Sequence, residues 1–586
     1  VKRLLAFDTE CTGLDRFDPS VHMFSFSTCT TNGETGVHRL DGSPVRVVQS
    51  DQRLQEILEQ NTLIMHNAKF DIGMVEKRIG RPLRDLHFHD TSLMSRILRN
   101  DHYSHRLKDL TRDLAQYPTD DEKAVKRSAG AVGWDAVPEE VMEVYQRRDA
   151  DRTMLLFHFL YSKLRVNPRW LEIYKNECEL VPVAMYMEDY GVHISKKRCE
   201  QLILKCKEDS AVVREEMFRY VGHKFNPASP AFLSNYLFND LKMPILEDHV
   251  TPSGKPSTAK ETLNALYELH PNPFLTMLLK YRSWMHGAST LEGYLERTDA
   301  EGFIHPSINT CEAITGRLSC SNPNLMNVEK TGVLTNPYPV AARTVFTPRK
   351  GCVNFHIDYS GIEMRLLVHY AKEPQLVEIL RTGGDVHEPA TLLFWGDKYR
   401  NGGEKTRKTL RDASKNTNFA IPYGAGPEKL MQTLQVALSE AQRLHALYGI
   451  TFPHLAKLNK MVGVLVRHQG YVETEFGRRL HVPKAKAYVG LNYLIQATAT
   501  EILKRGMVRV HNFLREETGN AVRLLLPIHD ELIIECPREW LKRMQEVLRE
   551  VRKLMVDFSV FSVPLEVDFK VVTSTWEQKE KYKLYA

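Results

Sequence analysis

Unbroken apolar runs of four to six residues alternate in this chain with longer stretches where apolar side chains return every three or four positions. The first kind predicts buried strands and the second amphipathic helices. Leu4-Leu5-Ala6-Phe7 reads as a strand running out in Asp8-Thr9-Glu10. His22–Cys29 and Thr35–Leu40 read as a strand meander, followed by a helix over Asp51–Gln60. Thr62–Met65 is a further strand, and His66-Asn67-Ala68-Lys69-Phe70-Asp71 enters a helix. Pro138-Glu139-Glu140 opens a long helix, with proline in the first turn and acids near the positive end. Mixed strands and helices in this order predict an α/β layer structure.

Beyond it, Trp170–Tyr190 and Ser195–Tyr220 have helical spacing, with Ser195 placed as an N-cap. Further helices are expected after the Phe225–Pro230 turn, through Leu266, and over Phe274–Leu295, around the breaker-rich loop Thr251–Thr258. This part fits either a plain helical connector or a mobile arm that holds a duplex by its phosphates. In the last part, Phe303–Ile308 and Cys352–Ile357 are strand-like, and the second delivers Asp358 to a strand exit before a helix from Ile362. A helix from about Thr406 is expected to end at Gly424, with Pro422 loosening its last turn as a hinge. Arg523–Ile528 and Leu532–Glu535 frame a hairpin turn that holds His529, Asp530 and Glu531.

At 586 residues the chain is too long for one core. We divide it at 1–165, 166–300, 301–372, 373–465 and 466–586. Hydrophobic content of 42% and charged content of 26% fit a globular protein. Net charge is +6, which permits a nucleic-acid partner without demanding one. Nine scattered cysteines without a CxxC pair predict reduced thiols and a cytoplasmic setting, and no apolar run is long enough to span a membrane.

The candidate chemistry is carboxylate chemistry. Asp8 and Glu10 alternate on one strand and so point to one side, while Tyr145 and Asp149 share a helix face. With Asp71 they make four acids that repel unless cations lie among them, and hard oxygen donors suit Mg²⁺ or Mn²⁺. Asp358 with Asp530 and Glu531 is a second such set, so two ions are expected per site. Arg411, Lys415 and Phe419 are spaced by four, either as a face for a triphosphate and its base or as a basic surface helix with a core Phe. Arg317, Asn324 and Asn327 lie among turn residues where they can touch a primer backbone and minor-groove base edges.

FDTE, HNAKFD and YQRRD resemble the three motifs of the DEDD exonucleases, in the subclass with tyrosine in the last motif. That resemblance implies a ribonuclease H-like 3′→5′ exonuclease in which Asp8, Glu10, Asp71 and Asp149 bind two metals. It further implies that Tyr145 orients the attacking water and Asn67 contacts substrate. From about 185 to 577 the chain resembles family A DNA polymerases of the polymerase I type, especially compact phage or bacterial forms. TGRLS with PNLMN, DYSGIEMR, RDASKNTNFAIPYG, NYLIQATATEILK and HDE occur in family order. The resemblance implies a right-hand palm, fingers and thumb that add dNTPs to a primer 3′-OH.

By the same resemblance Asp358 and Asp530 bind the metals, with Glu531 beside them, and Arg411, Lys415 and His387 hold the triphosphate. Phe419 packs on the incoming nucleotide and, not being Tyr, implies rejection of dideoxynucleotides. Tyr423 stacks at the template position and Glu363 blocks a ribose 2′-OH. Arg317, Asn324, Asn492, Gln496 and His529 contact primer-template DNA. Helicase, primase or other replisome proteins fit as partners, while no insertion of the kind that docks thioredoxin is present. With no 5′-nuclease region in the sequence, flap removal is not expected.

Four departures stand out: Gly361 in place of a common Gln, Met326 in place of an amide, Pro422 in place of an aliphatic residue, and a Lys583–Ala586 end without histidine. Two other readings compete, a single-subunit RNA polymerase and a non-catalytic DNA-binding factor. Glu363 and the retained acids argue against both.

Overall fold

The computed structural model describes residues 2–251, 253–330 and 340–585. Val1, Ala586 and Pro252 of the Thr251–Thr258 loop therefore lie outside the described residues. Two five-stranded sheets organise what is described. The first orders its strands Thr35–Arg39, Met23–Thr30, Arg3–Cys11, Asn61–Met65 and Phe88–Asp90. The first three are antiparallel and the last two join in parallel. Arg3–Cys11 is central, which is why its apolar run is unbroken and both its faces are covered. The helix Glu139–Leu164 packs across it and buries Tyr145, Asp149, Met154 and Phe157. The helix expected at Asp51–Gln60 begins earlier, at Pro44, because the Ser43 side chain caps Arg46 N–H and proline occupies the first turn.

The second sheet is antiparallel throughout, in the order Arg523–Ile528, Glu531–Pro537, Cys352–Tyr359, Val567–Val572, Glu580–Lys581. Helices Ile362–Ala371 and Gly490–Thr518 pack together in the large core built on this sheet. A smaller apolar cluster gathers Met217, Leu233, Leu237, Phe274, Leu275, Leu278 and Leu279 at the far end of the long helices Lys196–Val221 and Pro273–Glu296. Ser195 caps the first of these helices through Arg198 N–H, as its position predicts.

Helix Pro168–Tyr190 ties the sheets together. It buries Ile173, Tyr174, Val181 and Met185 in the first core, and Leu180, Val183, Ala184 and Met187 in the second. Its Glu177 is fully buried against Lys504 at 2.7 Å and Arg478, and Arg478 reaches Glu501 at 3.4 Å. Losing one partner of such a buried network leaves an uncompensated charge.

One expectation fails. The helix Glu404–Ala420 stops before Pro422, which lies in the turn Ile421–Gly424, closed by Gly424 N–H to Ile421 C=O at 2.8 Å. The last helical bond, Ile421 N–H to Thr417 C=O at 3.0 Å, stops one residue before Pro422, which has no N–H to continue it, and Gly424, at φ +94°, belongs to that turn and not to the helix end.

Candidate active sites

The first site sits on the central strand of the first sheet. Asp8 and Glu10 protrude from one side of it, and Asp149 comes down from the long helix. One oxygen of each lies within 4.8 Å of the others. Asp71, in the first turn of Ala68–Ile79, faces the same strand but accepts from Thr9 N–H at 3.0 Å and Thr9 Oγ1 at 2.7 Å. It is thus a neighbour of the three-oxygen cluster and stands outside it.

Burial dominates the electrostatics. It pushes Asp8 well above the usual carboxylate range, helped by Asp71, Glu10 and Asp149. Glu10 rises to about 8, from burial and then Asp149, and Asp71 to about 7, from burial partly offset by Thr9. Tyr145 is raised by burial and by Asp149 and Glu10. Only oxygen donors converge here, and their repulsion is what a hard divalent cation relieves, so Mg²⁺ or Mn²⁺ fits the donor set.

Three neighbours escaped the sequence reading. Lys108 Nζ donates to Asp149 Oδ2 at 2.7 Å and to the Tyr145 hydroxyl at 2.8 Å. Arg152 Nη1 donates to Asp149 Oδ1 at 2.7 Å, and Trp134 Nε1 to Glu10 Oε2 at 2.9 Å. Arg152 left a signal, since a fully buried arginine three residues after an acid on one helix face needs a partner. Lys108 left another, as a cation in the first turn of Leu107–Ala115, against the helix dipole. Trp134 left none.

The second site lies on the second sheet. Antiparallel register sets Asp358 directly opposite Glu531, and Tyr359 N–H donates to Asp530 C=O at 3.2 Å. His529 takes φ +55° at the first corner of the two-residue turn, a strained choice for a side-chain-bearing residue, and stays exposed beside Asp530. Asp358 is raised to about 6 by burial and by Glu531, with Lys570 at 3.7 Å opposing. Asp530 is raised by burial, with Arg317 opposing.

Glu531 behaves differently. Burial works against its charge, but hydrogen bonds from His356 and from Lys579 at 2.7 and 2.9 Å hold it at about 2. Its carboxylate is turned to those partners. Lys579 lies far from every motif and gave no signal in the sequence.

Around this pair the other candidates gather unevenly. Arg317 lies 3.5 Å from Glu363, and both influence the half-buried Tyr423, whose buried hydroxyl finds no hydrogen-bond partner among the described residues. On the helix Glu404–Ala420, Arg411 grips Asp385 with two nitrogens, at 2.5 and 3.0 Å, while Lys415 is exposed. His387 is lowered to about 4 by burial, contacts Asn418 at 3.1 Å, and its ring centroid is 5.7 Å from that of Phe419. Gln496 donates to Asn492 at 2.9 Å on one helix face. Asn324 and Asn67 are exposed, and Asn67 enters its helix at φ +70°.

Two adjoining cavities of about 430 and 450 Å³ run between the first sheet's loops and the 309–316 segment. One holds Asn67, the other Gly316, and Arg96 and His105 line both. Lys69 spans the same junction, pairing with Glu188 at 2.5 Å and with Ile308 C=O at 2.8 Å.

A family model for DNA polymerase family A matches residues 196–578, and one for 3′-5′ exonuclease matches residues 2–165. Thermostable DNA polymerase I of Thermus aquaticus is 32% identical over 439 residues, covering 72% of this chain and 51% of that protein. DNA polymerase I of Pseudomonas aeruginosa is 30% identical over 606 residues, covering 98% of this chain and 63% of that protein. The chain thus spans about half to two thirds of the length of these relatives. The polymerase domain of Pol1 from M. smegmatis, solved in complex with DNA primer-template and dNTP, superposes with TM-score 0.80 at 24% identity. That match covers 97% of this chain and 95% of that one and speaks to the fold. Among the described residues no helix is long and apolar enough to cross a membrane.

Proposed function

This chain belongs to DNA polymerase family A and carries a 3′-5′ exonuclease-family region ahead of its polymerase region, and we propose that it extends a DNA primer on a template and trims mispaired primer ends. The observation that carries the reading is the strand register that sets Asp358 against the Asp530–Glu531 corner, on a sheet separate from the Asp8–Glu10–Asp149 cluster. Asp358 and Asp530 would hold one pair of divalent ions, and Asp8, Glu10, Asp149 and Asp71 the other. Bound there, such ions supply charge neutralisation and a more acidic attacking hydroxyl or water.

The chain's own groups do the rest. Arg411 and Lys415, with His387 near them, bind the triphosphate oxygens, and Phe419 forms the wall against the incoming base and sugar. Arg411 must give up Asp385 to do so, an exchange of one bidentate anion for another. Glu363 fills the space a ribose 2′-OH needs, and Tyr423 supports the templating base. Arg317, Asn324, Asn492, Gln496 and His529 hold the primer-template, and Glu531 stays neutralised by Lys579. At the other site Tyr145 orients the attacking water and Asn67 steadies the strand. The cavities between the two sites are a route for a frayed primer end, with Arg96 and Arg106 for its phosphates. The divisions at residues 165, 300, 372 and 465, and work in a bacterial or phage-infected cytoplasm alongside replisome proteins, belong to this same reading.

A labelled primer-template in Mg²⁺ tests it. With dNTPs the primer should lengthen, with rNTPs it should not, and without nucleotides it should shorten from its 3′ end. A primer unchanged in all three conditions rejects the reading.

A further inference from the structure

The buried acids of the exonuclease site are not left to themselves. Both oxygens of Asp149 are held by cations, Oδ1 by Arg152 and Oδ2 by Lys108, each at 2.7 Å. Any ion that takes an oxygen from Asp149 must therefore displace or share with one of the two. Arg152 cannot yield easily, because it is fully buried and grips Asp121 with both terminal nitrogens, at 2.6 and 2.7 Å. Lys108 can. It is a single ammonium on a flexible stem, partly open to solvent, and it sits in the first turn of a helix whose dipole opposes it. The acids in front of it hold it there, together with Tyr145, whose hydroxyl accepts from it at 2.8 Å and whose ring centroid lies 4.1 Å away.

Charge counting agrees. Asp8, Glu10, Asp71 and Asp149 carry four negative charges when ionised, which two divalent ions cancel, leaving Lys108 as an excess. We infer that Lys108 is the resting counter-ion of the exonuclease site, an internal cation that surrenders Asp149 when divalent ions bind and so weakens their binding. The inference rests on the reading of Asp149 as a metal ligand.

Mn²⁺ binding to the full chain carrying Asp358→Ala and Asp530→Ala tests it, since the polymerase carboxylates no longer contribute. In that background Lys108→Met should lower the Mn²⁺ dissociation constant about tenfold. It should also lower the melting temperature in EDTA but not in saturating Mn²⁺, and Lys108→Arg should stay near the parent in both. A folded Lys108→Met protein whose Mn²⁺ affinity is unchanged or weaker overturns the inference. If Lys108→Met is unfolded even in Mn²⁺, Lys108→Gln is judged by the same comparison. A parent that binds no Mn²⁺, or binds it as well after Asp149→Ala, overturns the reading of the site instead.

Discussion

The two carboxylate centres solve one problem in opposite ways. Three of the exonuclease acids, Glu10, Asp71 and Asp149, are buried with Asp8 half-buried beside them, so the protein must supply their counter-charges, Lys108 and Arg152, and a hydrogen bond from Trp134. The polymerase acids stand at the lip of an open sheet, where Asp358 is only half-buried, and Lys570 and Arg317 stay at a distance. There only Glu531 is fully neutralised from within. Burial amplifies repulsion between like charges. A closed site therefore carries its own cations, and an open one leaves that task to solvent, metal and substrate.

If the centres are separate, each must be removable alone. Asp358→Ala should reduce primer extension by on the order of 10³-fold or more while primer shortening in the absence of dNTPs continues. Asp8→Ala should do the reverse. Loss of both activities from either substitution would merge what the two sheets keep apart.

How much of this contrast was legible without coordinates depends on the range of the interactions. The acids themselves were readable because strand and helix periods place Asp8 with Glu10, and Tyr145 with Asp149, within a few residues. Asp358 and Asp530 were readable as ends of apolar runs. Apart from Arg152, three residues from Asp149, what escaped is what the fold alone brings together. Lys108 meets Asp149 across 41 residues, Lys579 meets Glu531 across 48, and Lys504 meets Glu177 across 327. No periodicity spans such separations. The helix end expected at Gly424 was misplaced for a local reason, since the ladder stops at Ile421, just before a proline that has no N–H to continue it.

The difference in burial also predicts a difference in pH response. A carboxylate whose folded pKa is raised binds more protons folded than unfolded in the window between the two values. Metal-free protein should therefore lose stability as pH rises from about 4 to 8, and divalent ions, which require the ionised acids, should reverse the loss. With Glu10 at about 8, Asp71 at about 7 and Asp8 raised beside them, against Asp358 at about 6, exonuclease activity at subsaturating Mg²⁺ should climb more steeply between about pH 6 and 8 than extension does. Parallel profiles would mean that burial does not distinguish the sites.

Counter-charge inside the polymerase sheet can be probed through Lys579. Lys579→Met leaves Glu531 mostly buried with His356 alone, which should cost about 2 kcal/mol of stability, read by urea unfolding. The cost should shrink as pH falls and Glu531 takes up a proton. A loss that does not vary with pH would point to packing of the lysine stem and not to charge.

The smallest effect concerns the aromatic proposed to lie beside the substrate at each site. Tyr145 carries a hydroxyl anchored by Lys108, whereas Phe419, on the proposed nucleotide face, has none. On the proposed reading a dNTP would bring its own 3′-OH to that face, which a dideoxynucleotide lacks. A phenol at position 419 supplies the missing oxygen, which is worth about one hydrogen bond. Phe419→Tyr should therefore raise dideoxynucleotide incorporation relative to dNTP by about tenfold or more and leave primer shortening untouched. An unchanged ratio in single-nucleotide addition would remove Phe419 from the sugar, and with it the contrast between an exonuclease site that anchors its aromatic hydroxyl and a polymerase site that borrows one from the substrate.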